Sequence, residues 1–110
     1  MSEPTLQQVF GPNATQTATT ITITKGDLAA VGLTASATNR AESLLMAIVM
    51  LASNQLTEVF RSQDTVNRHV AVQYGGQDLV EQSGTNFRRD VYSVLAYKVT
   101  PLQTVDPDDY

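Results

Sequence analysis

The segment from Ala41 to Ala52, AESLLMAIVMLA, constrains the fold of this chain more than any other segment. Ten of its twelve residues are apolar, and the two polar ones, Glu42 and Ser43, stand near its start. A helix on the surface of a soluble protein shows one apolar stripe and one polar face. At helical spacing this segment has two apolar stripes: Ala41, Leu44, Leu45, Ile48, Leu51 and Ala52 form the first, and Met46, Val49 and Met50 form the second on the opposite side.

Local signals place this helix from an Asn39 N-cap to about Ser53, or to Leu56. Glu42 follows Asn39 at the spacing of a capping box. If the first stripe packs on a sheet, the second needs separate cover, because each large apolar side chain left in water forfeits roughly 1.5–3 kcal/mol. A chain of 110 residues with one long helix has little material for a layer on both sides. We therefore expect a second subunit to supply cover; strands of the same chain are the alternative.

Three segments show the alternation that predicts β-strands. Residues 18–24, ATTITIT, alternate isoleucine with threonine. In residues 68–74, RHVAVQY, the side chains of Val70, Val72 and Tyr74 alternate with those of His69, Ala71 and Gln73. Residues 87–100, FRRDVYSVLAYKVT, form the strongest strand pattern and are apolar on both faces. A strand that is apolar on both faces is typical of the centre of a sheet. The strand therefore predicts extra cover, as the helix does.

Shorter signals predict the remaining elements. Residues 25–31 predict a short helix, because Thr24 and Asp27 have the spacing of a helix start and Gly32 suits a helix end. A short strand is expected around residues 59–60.

Two turns are predicted in the second half of the chain. Gly75-Gly76 is a two-residue hairpin signal, and a weaker return strand, QDLVEQ, follows it. Residues 83–86, SGTN, predict a second turn.

These elements predict an α+β fold. One long buried helix packs on an antiparallel sheet of about four to five strands, with extended arms at both ends. Residues 1–15 form the N-terminal arm, anchored by Val9 and Phe10, which either packs on its own domain or reaches a neighbour. Residues 16–101 form a single α+β domain, and residues 102–110 form an acidic C-terminal tail.

The charge content excludes several classes of partner. Only 16% of the residues are charged and the net charge is −4. Binding to nucleic acid needs clustered basic residues, and here only Arg88 and Arg89 are adjacent.

The N-terminus lacks the pattern of a signal peptide, and the run LLMAIVMLA is far shorter than the roughly 20 residues that cross a bilayer. We expect no nucleic acid partner, no membrane partner and a soluble protein.

The residues that could carry chemistry do not form a pattern. The chain has no cysteine and one histidine, His69. Ser62 and Asp64 are near it in sequence, but a catalytic triad is defined by spatial geometry. The carboxylates Asp78 and Glu81 and those of the tail lack the spacing of an EF-hand. We therefore predict no enzyme activity, no catalytic or metal site, no cofactor and no small-molecule substrate.

Residues 14–52, ATQTATTITITKGDLAAVGLTASATNRAESLLMAIVMLA, resemble small virion proteins of tailed bacteriophages, among them phages of cyanobacteria. The resemblance covers about a third of the chain and lies in the threonine-rich strand, the segment TKGDLAAVGLT, the small-residue loop and the apolar helix. It implies a structural role and a location in the virion. It assigns no functional residue.

The predicted function is that of a non-enzymatic structural protein that self-associates or bridges neighbouring virion proteins. A capsid cement or decoration protein is the first choice, and a tail, neck or baseplate subunit is the alternative. A small-molecule or peptide-binding module, with a pocket beside Met46 and Met50, and an enzyme using His69 rank lower. Arg88 and Arg89 are expected to pair with Glu58, Asp64, Asp78 or a neighbour's tail. The predicted interface residues are Val9, Phe10, Met46, Val49, Met50, Arg88 and Arg89.

Overall fold

The computed structural model describes residues 2–99 and 107–109 and shows a mixed α+β chain. Its elements are α1 (Leu6–Phe10), β1 (Thr15–Gln16), β2 (Ile21–Thr22), a 3₁₀ helix (Lys25–Val31), α2 (Ala41–Gln55), α3 (Glu58–Gln63), β3 (Val70–Gln82), β4 (Thr85–Ala96) and a 3₁₀ turn (Pro107–Asp109).

Helix α2 is the apolar helix that the sequence predicts, and its first residue is Ala41. Its N-cap is Arg40, which makes no side-chain capping bond. Asn39, the predicted cap, uses its side chain in the preceding loop: Oδ1 accepts a bond of 2.8 Å from the Ser36 N–H, and Nδ2 donates to the Thr34 carbonyl at 2.9 Å. The helix therefore begins one residue later than predicted.

The prediction that α2 is buried is wrong for the isolated chain. Helix α1, the 3₁₀ helix and β3 pack against it. Within α2 only Ala47 and Ala52 are buried. Leu45 is 61% exposed and Met46 is 41% exposed. The helix is covered along one side only.

The prediction of a four- to five-stranded sheet is also wrong. Within the residues described there are two separate two-stranded antiparallel sheets, β1–β2 and β3–β4. The strands before α2 pair with each other over only two residues each, in the register Thr15↔Thr22 and Gln16↔Ile21. They do not join the hairpin, so α2 has no broad sheet beneath it.

The β3–β4 hairpin is the longest feature of the fold, and its turn lies at Ser83-Gly84. These two residues have φ of 53° and 78°, which suits the type of two-residue turn that favours hairpins. The predicted turn at Gly75-Gly76 is wrong, because both glycines lie within β3, where the pairing register shifts between Tyr74 and Gly76. Such a β-bulge holds one extra residue, and Gly76 accommodates it with a φ of 98°.

Helix α3 occupies the segment where a short strand was expected. The Thr57 side chain accepts a bond of 3.0 Å from the Phe60 N–H, and Glu58 lies in the first turn. Both features stabilise the N-terminus of a helix. Val59 and Phe60 alone are too few to distinguish the periodicity of a strand from that of a helix.

Removal of the Thr57 cap is expected to destabilise the chain. We predict that Thr57→Ala lowers the free energy of unfolding by about 1 kcal/mol, measured by urea denaturation. Thr24→Ala is the matched control, because Thr24 is the N-cap of the 3₁₀ helix but makes no side-chain capping bond. Equal losses in the two variants would contradict the assignment of the cap.

The N-terminal segment is not the extended arm that was predicted. Thr5 and Gln8 form a capping box, and α1 packs on α2. Beyond α1, the Asn13 backbone and side chain both donate to the Asp27 carboxylate, at 2.9 and 2.8 Å. Asp27 therefore bonds the N-terminal segment and does not complete a capping box with Thr24. The predicted tail 102–110 lies outside the described residues except for the turn Pro107–Asp109.

The buried core is small. Leu28, in the 3₁₀ helix, is the largest fully buried side chain within residues 2–99 and 107–109, with 1% exposure. Among the residues that the structure describes, one charged residue, Arg68, is buried. It donates to the carbonyls of Gln55 and Ser2 at 3.1 and 3.3 Å. These bonds link α2, the N-terminus and the segment before β3. The other buried apolar residues are Ala14, Ala47, Ala52, Ala71 and Val72.

Candidate assembly surface

The accessible surface of the chain is larger than that of a compact monomer of its mass. The chain of 11.9 kDa exposes 8352 Å², whereas a folded monomer of that mass exposes about 6,000 Å². The radius of gyration is 18.3 Å, against about 13 Å for a compact domain of this length. The chain is therefore elongated and exposes more surface than a compact domain of its size.

The outer side of α2 is one part of this surface. Met46 and Met50 face an open groove of about 540 Å³, whose other wall includes Leu33 and Thr34 from the loop before α2. Val49 and Met50 are half-buried, whereas Met46 and Leu45 are exposed. The predicted second stripe therefore lacks full cover. Leu45, which the helical spacing assigned to the inner stripe, is also uncovered.

The hairpin exposes apolar residues on both of its faces. The cross-strand pairs Val80↔Phe87 and Gly76↔Val91 lie on one face, which we call the Phe87 face. The pairs Val72↔Val94 and Tyr74↔Tyr92 lie on the opposite face, which we call the Val94 face. Exposure reaches 49% at Phe87, 66% at Val94 and 78% at Leu79. Sequence reasoning did not assign these residues to an interface, although the apolar alternation on both faces of β4 was the available signal.

The base of the hairpin is fixed to the helical part of the chain. The Val72 N–H donates to the Leu56 carbonyl at 2.7 Å. The Tyr97 hydroxyl bonds the Glu58 carboxylate, and the Arg61 guanidinium lies 3.9 Å from the centre of the Tyr97 ring. These contacts join the ends of both strands to α2 and α3, so the hairpin projects in a defined direction.

The contact between Tyr97 and Glu58 makes the stability of the chain depend on pH in the alkaline range. The hydrogen bond to Glu58 raises the pKa of Tyr97, with burial as the second cause. A pKa that is higher in the folded chain contributes stability below the unfolded value of about 10, and this contribution is lost as pH rises through the folded pKa. We predict that Tyr97→Phe loses less stability than the parent as pH rises above about 10, measured by urea unfolding. Glu58→Gln should flatten the same region, and a Tyr97→Phe curve parallel to that of the parent would contradict this role.

Two ion pairs lie on the distal half of the hairpin. Arg89 contacts Asp78 across the strands, with a shortest N···O distance of 2.6 Å, and Arg88 lies 3.5 Å from Asp90. The hydrogen bond from Arg89 lowers the pKa of Asp78. Arg89 therefore pairs with one of the partners expected for it, and both arginines remain exposed. Exposed pairs of this kind contribute little to stability but define the charge pattern of β4.

The other two predicted interface residues, Val9 and Phe10, lie on α1. Both are half-buried. Because α1 packs on α2, the chain covers part of these side chains itself. The N-terminal segment was expected either to pack on its own domain or to reach a neighbour. For α1, the structure shows packing on its own domain.

Among the described residues, no hydrogen bond joins the candidate catalytic residues to one another, and Ser62 Oγ donates to the Glu58 carbonyl at 2.7 Å. Asp64 accepts bonds from the Asn67 backbone and side chain at 3.2 and 2.9 Å, and these bonds lower the pKa of Asp64. His69 is exposed at a second, shallow groove of about 360 Å³ near Val9 and Leu56. Among residues 2–99 and 107–109, no group of three His, Asp or Glu side chains is placed to hold a metal ion.

The helical stretch Ala41–Gln63 is long and apolar enough to cross a membrane by length and composition only, with a mean hydropathy of 1.4. The stretch is interrupted at Leu56 and Thr57, whose ψ angles of 67° and 154° are not helical. Helix α2 by itself has 15 residues and is about 22 Å long, shorter than the roughly 30 Å of a hydrocarbon core. The described residues thus contain no clear transmembrane segment.

Comparison of the chain with protein-family models, with curated proteins and with solved structures finds no match in any of the three.

Proposed function

We propose that this chain is a non-enzymatic assembly subunit whose fold is completed by neighbouring chains, and that it is a structural component of a phage particle. The observation that carries the proposal is the accessible surface of 8352 Å². It exceeds that of a compact monomer by about 2,400 Å², and a stable interface covers about 800 Å² on each partner. The excess is therefore enough for contacts with several neighbours.

The chemistry of the exposed surface supports assembly more than catalysis. The outer side of α2 and both faces of the hairpin present large apolar side chains, and monomers rarely expose contiguous apolar patches of this kind. Only 16% of the residues are charged, and charged residues are depleted from the centres of interfaces. Copies of the same chain and other virion proteins are the partners that we propose.

The location in a virion rests on the resemblance of residues 14–52 to small phage structural proteins. These residues form β1, β2, the 3₁₀ helix and most of α2, so the resemblance includes the exposed helix. A small, acidic, cysteine-free subunit suits a capsid cement protein, which is our first choice. A tail, neck or baseplate subunit is the alternative.

The test of this location is quantitative mass spectrometry of particles purified from the phage or prophage that encodes the chain. We expect the chain to sediment with the particles at a constant copy number after gradient purification. Separation of heads from tails then distinguishes a capsid protein from a tail, neck or baseplate protein. Recovery of the chain only in the soluble fraction would contradict a virion role.

The groove beside Met46 and Met50 favours a second function, binding of a peptide or small molecule. Its volume of about 540 Å³ is within the range of ligand pockets. This function predicts a monomer whose melting temperature rises when a ligand is added. Assembly predicts instead that the melting temperature rises with protein concentration. A thermal melt over a range of protein concentrations therefore separates the two functions.

A further inference from the structure

We propose that β4 pairs antiparallel with β4 of a second copy, about a two-fold axis at Val91, to form a four-stranded sheet. This inference rests on the proposed self-association and names the surface and the register that it uses. The starting point is the edge of β4: the part of the chain that the structure describes places no strand beside β4 other than β3.

The hydrogen bonds at the base of the hairpin show which backbone groups reach that edge. The Val72 N–H points out of the hairpin, because it donates to Leu56. In an antiparallel ladder the backbone N–H and carbonyl groups of two paired residues point either towards each other or away from each other. Those of Val94, the partner of Val72, therefore also point out of the hairpin. Along a strand, every second residue has its backbone groups pointing outward. The edge of β4 therefore presents the N–H and carbonyl groups of Asn86, Arg88, Asp90, Tyr92, Val94 and Ala96.

The opposite edge of the hairpin is not equivalent. At its base, the edge of β3 is occupied by the bond from Val72 to Leu56, and the extra residue of the bulge also lies on β3. Residues Thr85–Ala96 of β4 contain neither a bulge nor a proline, two of the features that protect edge strands from pairing. Charged residues, a third such feature, occupy only three of the twelve positions, Arg88, Arg89 and Asp90. An edge of this length is a template for another strand. Its apolar residues on both faces match a central strand.

The charges of β4 select the register when the partner is a second copy. A two-fold axis at Arg88, Arg89 or Asp90 would place that residue opposite itself, and like charges directly opposite are destabilising. An axis at Val91 avoids all three conflicts. It also places Phe87 opposite Leu95 of the second copy and Asp90 opposite Tyr92.

An axis at Tyr92 also avoids like charges but is less favourable. It would set Arg89 opposite Leu95 and would leave Phe87 without a partner on β4. The axis at Val91 pairs residues 86–96, which is almost the whole of β4. Apolar pairs across strands are favourable contacts, so this register gives both the better pairs and the longer ladder.

The test is disulfide formation through engineered cysteines in the full chain, which has no cysteine of its own. At the axis the two copies of residue 91 form a non-hydrogen-bonded pair, with Cα atoms about 4.5 Å apart, within the range of a disulfide. Arg89→Cys and Ser93→Cys are matched controls, because each would lie about 14 Å from its own copy. We expect Val91→Cys to give covalent dimers on mild oxidation at least about tenfold faster than either control.

A mixture of the two control variants provides a second measurement. Residue 89 of one copy faces residue 93 of the other, so the mixture should form a covalent dimer that neither variant forms alone. Equal cross-linking of Arg89→Cys, Ser93→Cys and Val91→Cys would overturn the register. If the protein self-associates in sedimentation but neither Val91→Cys nor the mixture cross-links, the pairing of β4 is overturned and self-association stands. A chain that sediments only as a monomer would overturn both.

Discussion

The Met46→Glu variant is expected to remain folded but to lose self-association. Met46 lies on the outer side of α2 and is 41% exposed in the isolated chain, so glutamate can be solvated there in the monomer. Covering this side in an assembly would bury a carboxylate and lose the apolar contact. The contact is worth roughly 1.5–3 kcal/mol, which corresponds to a dissociation constant at least about 10- to 100-fold weaker. Sedimentation velocity over a range of concentrations measures the change.

The matched control for Met46→Glu is Asn54→Glu. Asn54 is an exposed residue of the same helix that is already polar, so the substitution adds the same charge away from the apolar stripe. We expect it to leave the association constant within a few-fold of the parent. Circular dichroism should show equal helix content in both variants. Unchanged association of a folded Met46→Glu variant would show that α2 takes no part in the interface.

The Leu28→Ala variant is expected to show the largest loss of stability of any single truncation of an apolar residue that the structure describes. Leu28 is the largest fully buried side chain among the described residues, with 1% exposure. Replacement of a buried leucine by alanine typically costs 2–5 kcal/mol, a large share of the roughly 5–15 kcal/mol that stabilises a small domain. Urea unfolding at a fixed protein concentration measures this loss, because any self-association would add to the measured stability.

Leu79→Ala is the control for Leu28→Ala, since it makes the same substitution at a residue that is 78% exposed. In the monomer we expect a change within about 0.5 kcal/mol. If both truncations cost several kcal/mol in a monomeric background, Leu79 is covered within its own chain and the description of the hairpin as exposed is incorrect. A small effect of Leu28→Ala would contradict the assignment of the core.

The sequence predicted the elements that depend on strong local periodicity. Helix α2 and the short helix at residues 25–31 were predicted with bounds that agree closely with the structure, because helix formers and an adjacent Gly32 mark them locally. The two long strands were predicted in outline because their residues alternate locally between the two faces of a strand. At residues 59–60, in contrast, two apolar residues do not define a period, and the cap at Thr57 determined a helix.

The number of strands in the sheet could not be predicted from local pattern. Strand pairing is a non-local choice, and the chain pairs β1 with β2 over two residues and β3 with β4 over most of their length. The hairpin turn was misplaced because Gly75-Gly76 is a strong hairpin signal. The segment QDLVEQ, which continues β3 beyond these glycines, alternates too weakly to show that the strand goes on. The apolar alternation on both faces of β4 was read as a need for cover, and the structure leaves Phe87, Val91 and Val94 exposed.

The prediction of interface residues was limited for a related reason. Helical spacing identified Met46 as outward-facing, but it assigned Leu45 to the covered side. The inner side of α2 is in fact covered by α1, the 3₁₀ helix and β3, which together leave Leu45 exposed. Which side of a helix is covered depends on the size and position of its neighbours, and no single-sequence pattern encodes these.

The most direct test of self-association is sedimentation equilibrium of the purified chain. We expect a mass above 11.9 kDa that increases with concentration towards a multiple of the monomer, because other copies would cover the outer side of α2 and the hairpin. A single species at the monomer mass over the full concentration range, with a cooperative and concentration-independent melt, would contradict it.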